Sequence, residues 1–257
     1  MKGSRVWSPI VGVVAFLYFV VPLVATAEFS VQEGPSHPFW AAYSSILSSP
    51  QFWSSLRLSL FMAVSAVVIG LVIIVPATYW AFLRAPRLQT WVEFISIMPF
   101  VVPPIVLVLG LVHLYGNGFG PLSSRPIMLM AAYGVISMPY LFRSVNNGLR
   151  SMDVRSLTEA ALSLGSSWPR VLFQVVFPNL RTALLGGTFL VFALIMGEYA
   201  MSSMLGLNTF GVYMLLTGET RAHAAAALAL ISLALVWFLV GVMQAVNRGN
   251  VTIGGAR

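Results

Sequence analysis

Long stretches of this chain carry almost no charge, and that limits what it can fold into more than any other feature. Apolar runs of about twenty residues, the length a helix needs to cross a hydrocarbon core of about 30 Å, occur near Trp7–Ala27, Leu58–Leu83, Trp91–Leu114, Ile127–Phe142, Ala183–Leu205 and Ala222–Val246. Only 8% of the 257 residues are charged and 58% are hydrophobic, against roughly 25% charged in soluble domains. In lipid every backbone group must be bonded within the segment. The sequence therefore predicts an all-α, polytopic membrane protein with six transmembrane helices, forming a single transmembrane domain over residues 1–257. The fourth run is short if it stops at Arg143, and it can continue toward Leu149 with Arg143 snorkelling to the interface.

Basic residues set the expected orientation. With both termini cytoplasmic, eleven of the fourteen Lys and Arg residues fall inside and only Arg57, Arg125 and Arg221 outside, as the positive-inside rule requires. The net charge of +7 needs no nucleic-acid partner, because the arginines are dispersed at helix ends and form no basic stripe. At the first run, Lys2, Arg5 and Ala25-Thr26-Ala27 imitate a cleavable signal peptide. The apolar run exceeds the usual 7–15 residues of a signal core, and we read it as an uncleaved anchor. From Glu28 to Ser55, prolines at 35 and 38 and the aromatics Phe39, Trp40, Tyr43, Phe52 and Trp53 predict a turn and then an amphipathic helix at headgroup level on the outer surface.

Much chemistry is excluded. The chain has no cysteine, which removes thiolate metal sites, disulfides and cysteine nucleophiles. Its one lysine, Lys2, cannot belong to a Walker A loop, so ATP and Mg would have to bind another polypeptide, and no cofactor is expected on this one. His37, His113 and His223 stand apart from one another and from paired carboxylates, which reads as structural histidines. No nucleophile and base pair within the apolar runs, which argues against an enzyme.

Two features mark the interior of the runs. Pro99, Pro103 and Pro104 lie within the third; each removes an amide donor and clashes with the preceding turn, so this helix should be kinked or broken, with freed carbonyls facing protein or water. A bend of that kind suits a translocation path. Glu198 is the one carboxylate well inside an apolar run, roughly 25 Å along its helix from Arg181 at about 1.5 Å per residue. Burying a charge there costs on the order of 2.5–3.5 kcal/mol. Glu198 should thus face a partner or a wet cavity, either holding a cationic solute with Tyr199 offering a π face or forming a structural bond to a neighbouring helix.

The segment Glu159–Pro178, EAALSLGSSWPRVLFQVVFP, is a polar interruption between apolar runs. Ser156 and Glu159 stand in capping-box spacing, Gly165 can take a left-handed helix cap, and Ser166, Ser167 and Pro169 are start signals for a second short helix. Glu159, Ala160, Ala161, Gly165 and Val175-x-Phe177-Pro178 resemble the EAA loop of permease subunits of binding-protein-dependent type I ABC importers, with Val for Ile and Phe for Leu. Phe192, Ala193, Leu194 and Glu198 look like the fifth span of the spermidine/putrescine-type members, although Ile195, Met196 and Gly197 replace S-F-D and remove a neighbouring acidic residue.

That resemblance implies a cytoplasmic coupling loop over about 150–181 that docks an ATP-binding cassette ATPase dimer. It also implies a second, related permease chain, an extracytoplasmic solute-binding protein, and residence in a bacterial inner membrane. The solute would be a polyamine or similar organic cation; iron(III), thiosulfate, sulfate or a phosphonate are alternatives on the same scaffold. An ion-coupled secondary transporter is the reading from another class, and a lone intramembrane carboxylate without an inverted repeat argues against it.

Overall fold

The computed structural model describes residues 4–32, 38, 40–116, 118 and 120–248. Side chains of 4–10 and a few near the end of the last helix lie outside that description, as do Lys2, residues 33–37, where a turn is expected, and Phe39. Among the described residues the chain is helical with no strand. Five helices are long and apolar enough to cross a membrane, or up to six if one bent pair is counted as a single span.

The chain divides into two compact units, residues 1–54 with 213–237, and 55–212 with 238–257. In the first unit, α1 (Ser4–Val31) is followed by the short α2 (Ala41–Leu47) and the start of α3 (Pro50–Arg84). The Ser30 and Tyr43 hydroxyls lie 2.8 Å apart, and Trp53 Nε1 donates to the Leu47 carbonyl at 2.8 Å across the turn into α3. His223 of α12 (Ala222–Arg248) stacks on Phe29, its Nδ1 2.7 Å from the Phe29 carbonyl. It is a satisfied structural histidine.

The second unit holds the candidate site residues. The third apolar run is broken: α4 (Pro86–Ile97) passes through a 3₁₀ turn at Met98–Phe100 into α5 (Pro104–Tyr115) at an angle of 97°. Proline chemistry explains the break. Pro103 precedes Pro104, and a residue before proline is pushed out of the helical region; Pro103 accordingly has φ −56° and ψ 136°. The turns on either side of the break close locally, the Met98 carbonyl accepting from the amides of Val101 and Val102 and the Pro103 carbonyl from those of Val106 and Leu107.

The fourth run becomes a single helix, α6 (Arg125–Arg150), which continues past Arg143. It packs against α9 (Phe177–Met196) through small residues, with Ser144 and Gly148 of α6 facing Ala183 and Gly187 of α9. Spacing of small residues by four lets helix backbones approach closely. A Cβ on Gly148 would lie 2.6 Å from Leu180 Cδ2 and 2.8 Å from Ala183 Cβ, and the Ser144 hydroxyl donates to the Ala183 carbonyl across the seam.

Two expectations about helix ends need correction. The fifth run was expected as a helix over Ala183–Leu205, but α9 stops at Met196, and α10 (Ala200–Met204) begins beyond a break at Gly197–Tyr199. Glu198 thus lies between helices. The second short helix expected after Gly165 is the start of the fifth span itself: α8 (Trp168–Val171) runs through a π turn at Leu172–Val176 into α9. Pro178 supplies the reason. It offers no amide to the carbonyl four residues back and its ring crowds that turn, so the backbone widens, while Asn179 Nδ2 caps the Val175 carbonyl at 2.7 Å.

Candidate coupling loop and path residues

Between α6 and α9 lies α7 (Val154–Ser163). Its cap differs from the expected Ser156–Glu159 box. Asp153 is the N-cap, accepting from the Ser156 amide at 3.3 Å and the Ser156 hydroxyl at 2.7 Å. Aspartate is among the strongest N-cap residues and stands one position before Val154, so the helix starts three residues earlier and Ser156 serves as donor. Those two bonds favour the ionised carboxyl and hold Asp153 below the usual carboxylate range.

At the other end Gly165 adopts φ +83°, a left-handed conformation that other residues reach only with strain. It closes the helix by a Schellman arrangement: the Ser166 amide donates to the Ala161 carbonyl at 3.1 Å and the Gly165 amide to that of Leu162 at 2.9 Å. Glu159, Ala160, Gly165 and Pro178 are exposed and Ala161 is half-buried. Leu164, at the tip, is 86% exposed.

The loop is fastened to the end of α3 at two points. Buried Tyr79 and Thr158 share a hydroxyl bond of 3.1 Å. The Arg84 guanidinium sits 4.4 Å from the ring centroid of Trp168, whose ring meets Trp80 edge-on at 5.9 Å. Beside this stack a cleft of about 270 Å³ is lined by Arg84, Arg155, Glu159 and Trp168. Val154, Val171 and Val176 bury the underside of the loop against Val75 and Leu149. The loop is thus in direct contact with α3 and α6. None of these fastening residues stands out in the sequence.

At the opposite end of α6, about 12 Å along the helix from Arg125 at 1.5 Å per residue, buried Tyr133 donates its hydroxyl to Glu198 Oε2 at 2.6 Å. The same carboxylate accepts from the Met201 amide at 2.7 Å and from the Ser202 hydroxyl and amide at 3.2 and 3.4 Å. The partner foreseen for Glu198 is thus Tyr133 together with the start of α10, and sequence inspection gave no sign of Tyr133. Tyr199 is exposed, as are Pro103 and Pro104 at the break before α5. Helix α5 and α10 share the core that contains Val108, Met201 and Leu205. Among the described residues no group of His, Cys, Asp and Glu could hold a metal ion.

Multiple helices long and apolar enough to cross a membrane, one pair of them bent at prolines, define a polytopic membrane protein. The family described as binding-protein-dependent transport system inner membrane component matches residues 73–250, and the chain belongs to that family. It is 29% identical over 137 residues to a probable molybdenum ABC transporter permease of Haloferax volcanii, a match that spans 51% of each chain. It is 22% identical over 210 residues to the putrescine transport system permease PotI of Escherichia coli, covering 77% of this chain and 73% of that one. Among solved structures, that of a bacterial ABC transporter involved in import of the acidic polysaccharide alginate shares the fold, with a TM-score of 0.72 at 18% identity over 95% of this chain and 98% of the other.

Proposed function

We propose that the chain is the transmembrane permease subunit of an ATP-driven importer. It would form the path for a small solute handed over by an extracytoplasmic binding protein. The observation that carries this reading is the 153–178 loop: a short helix capped at both ends, exposing Glu159, Ala160 and Leu164, and bolted to α3 through Tyr79–Thr158 and Arg84–Trp168. A partner ATPase dimer that grips this helix moves a rigid lever. ATP binding then biases the helix bundle toward one of its two conformations by differential affinity. In this reading the chain sits in the bacterial inner membrane with the loop and both termini on the cytoplasmic side, ATP and Mg stay on the ATPase, and a second, related permease completes the path.

The path runs past the break at Pro103–Pro104 and past Glu198 and Tyr199. An organic cation such as a polyamine is supported by the charge of Glu198 and by the likeness to PotI. An oxyanion is the second reading, favoured because the Glu198 carboxylate already receives four hydrogen bonds from the protein and because another relative is named for molybdenum transport.

Purification of the tagged chain from its own membranes tests the coupling reading. ATP hydrolysis should co-purify with it and be lost in Gly165→Arg, while the permease still inserts. Full ATP hydrolysis in that variant, stimulated by solute as in the parent, contradicts the assignment. Uptake of radiolabelled putrescine and of molybdate by the reconstituted complex separates the two solute readings.

A further inference from the structure

We infer that Tyr133 is a positioning residue that latches the 197–209 hairpin to α6 through Glu198, and that this latch sets the resting state of the far end of the path. The inference rests on the permease reading only in calling the hairpin part of a path; the latch itself is a property of the chain.

The hairpin is held together internally. Ser202 hydroxyl bonds to Glu198 and itself accepts from the Thr209 hydroxyl at 2.8 Å. The Leu207 amide returns to the Ser202 carbonyl at 2.9 Å, with Gly206 turning at φ +65°. Ser202 and Thr209 are buried, so the chain from Glu198 to Thr209 closes on itself as one unit. Its end is docked by contact, since a Cβ on Gly211 would lie 2.5 Å from the Glu198 carbonyl oxygen.

Met201 and Leu205 seat the hairpin in the core beside Val108, and polar bonds fix it to α3 and α6. The Phe210 amide donates to the Ser59 hydroxyl of α3 at 2.8 Å, and Tyr133 donates to Glu198 at 2.6 Å. The second bond differs in kind, because a hydroxyl bonded to a carboxylate is short and stronger than a neutral pair. It also joins a buried donor on the helix that packs along α9 to the carboxylate at the hairpin's first residue. Breaking it would leave the carboxylate with only its own hairpin's donors, and the hairpin would then be held against α6 by apolar packing alone. Glu198 is therefore a cap and an anchor, and Tyr133 holds it in place.

Accessibility in the full chain in membranes tests this without any transport partner. Leu205 is nearly fully buried at the hairpin, and Val145 is fully buried in the separate core beneath the coupling loop. Single-cysteine variants Leu205→Cys and Val145→Cys are made in the cysteine-free chain and labelled with a small maleimide. Adding Tyr133→Phe, which removes only the hydroxyl, should raise the labelling rate at position 205 about tenfold or more, the population change expected for a charge-assisted bond. Position 145 should stay unchanged. Tyr79→Phe removes a different tyrosine hydroxyl bond and should leave position 205 as it is.

An unchanged rate at 205 overturns the latch. Equal acceleration at 205 and 145 overturns it too, since the bond would then hold the fold as a whole. If Tyr133→Phe does not accumulate in membranes, Glu198→Gln converts the same bond to a weaker neutral one and must show a smaller rise, still confined to position 205. A positive result alongside failed co-purification of ATP hydrolysis would leave the latch standing and the importer reading refuted.

Discussion

Replacing Gly165 isolates the cost of one backbone conformation. At φ +83° a glycine is unstrained, and a built Cβ meets nothing within 4 Å, so Gly165→Ala introduces no clash. The whole penalty is the left-handed backbone, about 1–2 kcal/mol for an L-residue. The alternative is to abandon that conformation and with it the Ser166→Ala161 and Gly165→Leu162 bonds. Either way the last turn of α7 should open about 5–30 times more often. Asn tolerates the left-handed region better than Ala, so Gly165→Asn should fall between Ala and the parent. Hydrogen exchange of the 161–167 amides in detergent-solubilised protein reads this opening directly, and the thermal midpoint of the whole chain should barely move. Equal exchange for Gly, Ala and Asn would refute the argument, because it would mean that the cap contributes nothing to holding the loop.

Three further outcomes follow from the same geometry. Gly148→Leu forces atoms into the α6–α9 seam where even a Cβ would sit 2.6 Å from Leu180, and overpacking of about 1–3 kcal/mol should lower the melting temperature and the yield of folded protein. Asp153 lies below the ordinary carboxylate range because Ser156 donates to its ionised form; its contribution is complete at neutral pH and is lost as pH falls through the folded value, so exchange at the Ser156 amide, corrected for intrinsic rate, should accelerate only in acid and should be pH-insensitive in Asp153→Asn. Arg84→Ala removes the cation over Trp168 and should lower solute uptake per ATP hydrolysed in the reconstituted complex, with Arg84→Lys restoring part of it.

What the sequence made legible was local. Prolines 99, 103 and 104 announce a break because each acts on its own turn, and Gly165 followed by Ser and Pro announces a cap. Helix ends were harder wherever two signals competed. Asp153 and Ser156 are both good caps, and only the fold shows that the aspartate starts the helix while the serine donates to it. Near its end the run from Ala183 to Leu205 is interrupted only by Gly197-Glu198-Tyr199 and Ser202-Ser203, too briefly to mark a helix end, so the stop at Met196 was hidden, and with it the role of Glu198 as a cap. Pairings distant in sequence left no trace: Tyr133 with Glu198, Tyr79 with Thr158, Arg84 with Trp168. Apart from Glu198, each of these residues taken alone reads as an ordinary interfacial or core side chain.

The central claim is that the 153–178 loop grips a nucleotide-hydrolysing partner, and Leu164 is the position that tests it most directly, since it stands 86% exposed at the loop's tip in a chain with no other cysteine once Leu164→Cys is made. A short bifunctional cross-linker applied to native membranes should join Leu164→Cys to a polypeptide that photolabels with azido-ATP, and Tyr199→Cys at the far end should not form that product. A Leu164→Cys that cross-links to no nucleotide-binding chain, while Tyr199→Cys does, would contradict the account.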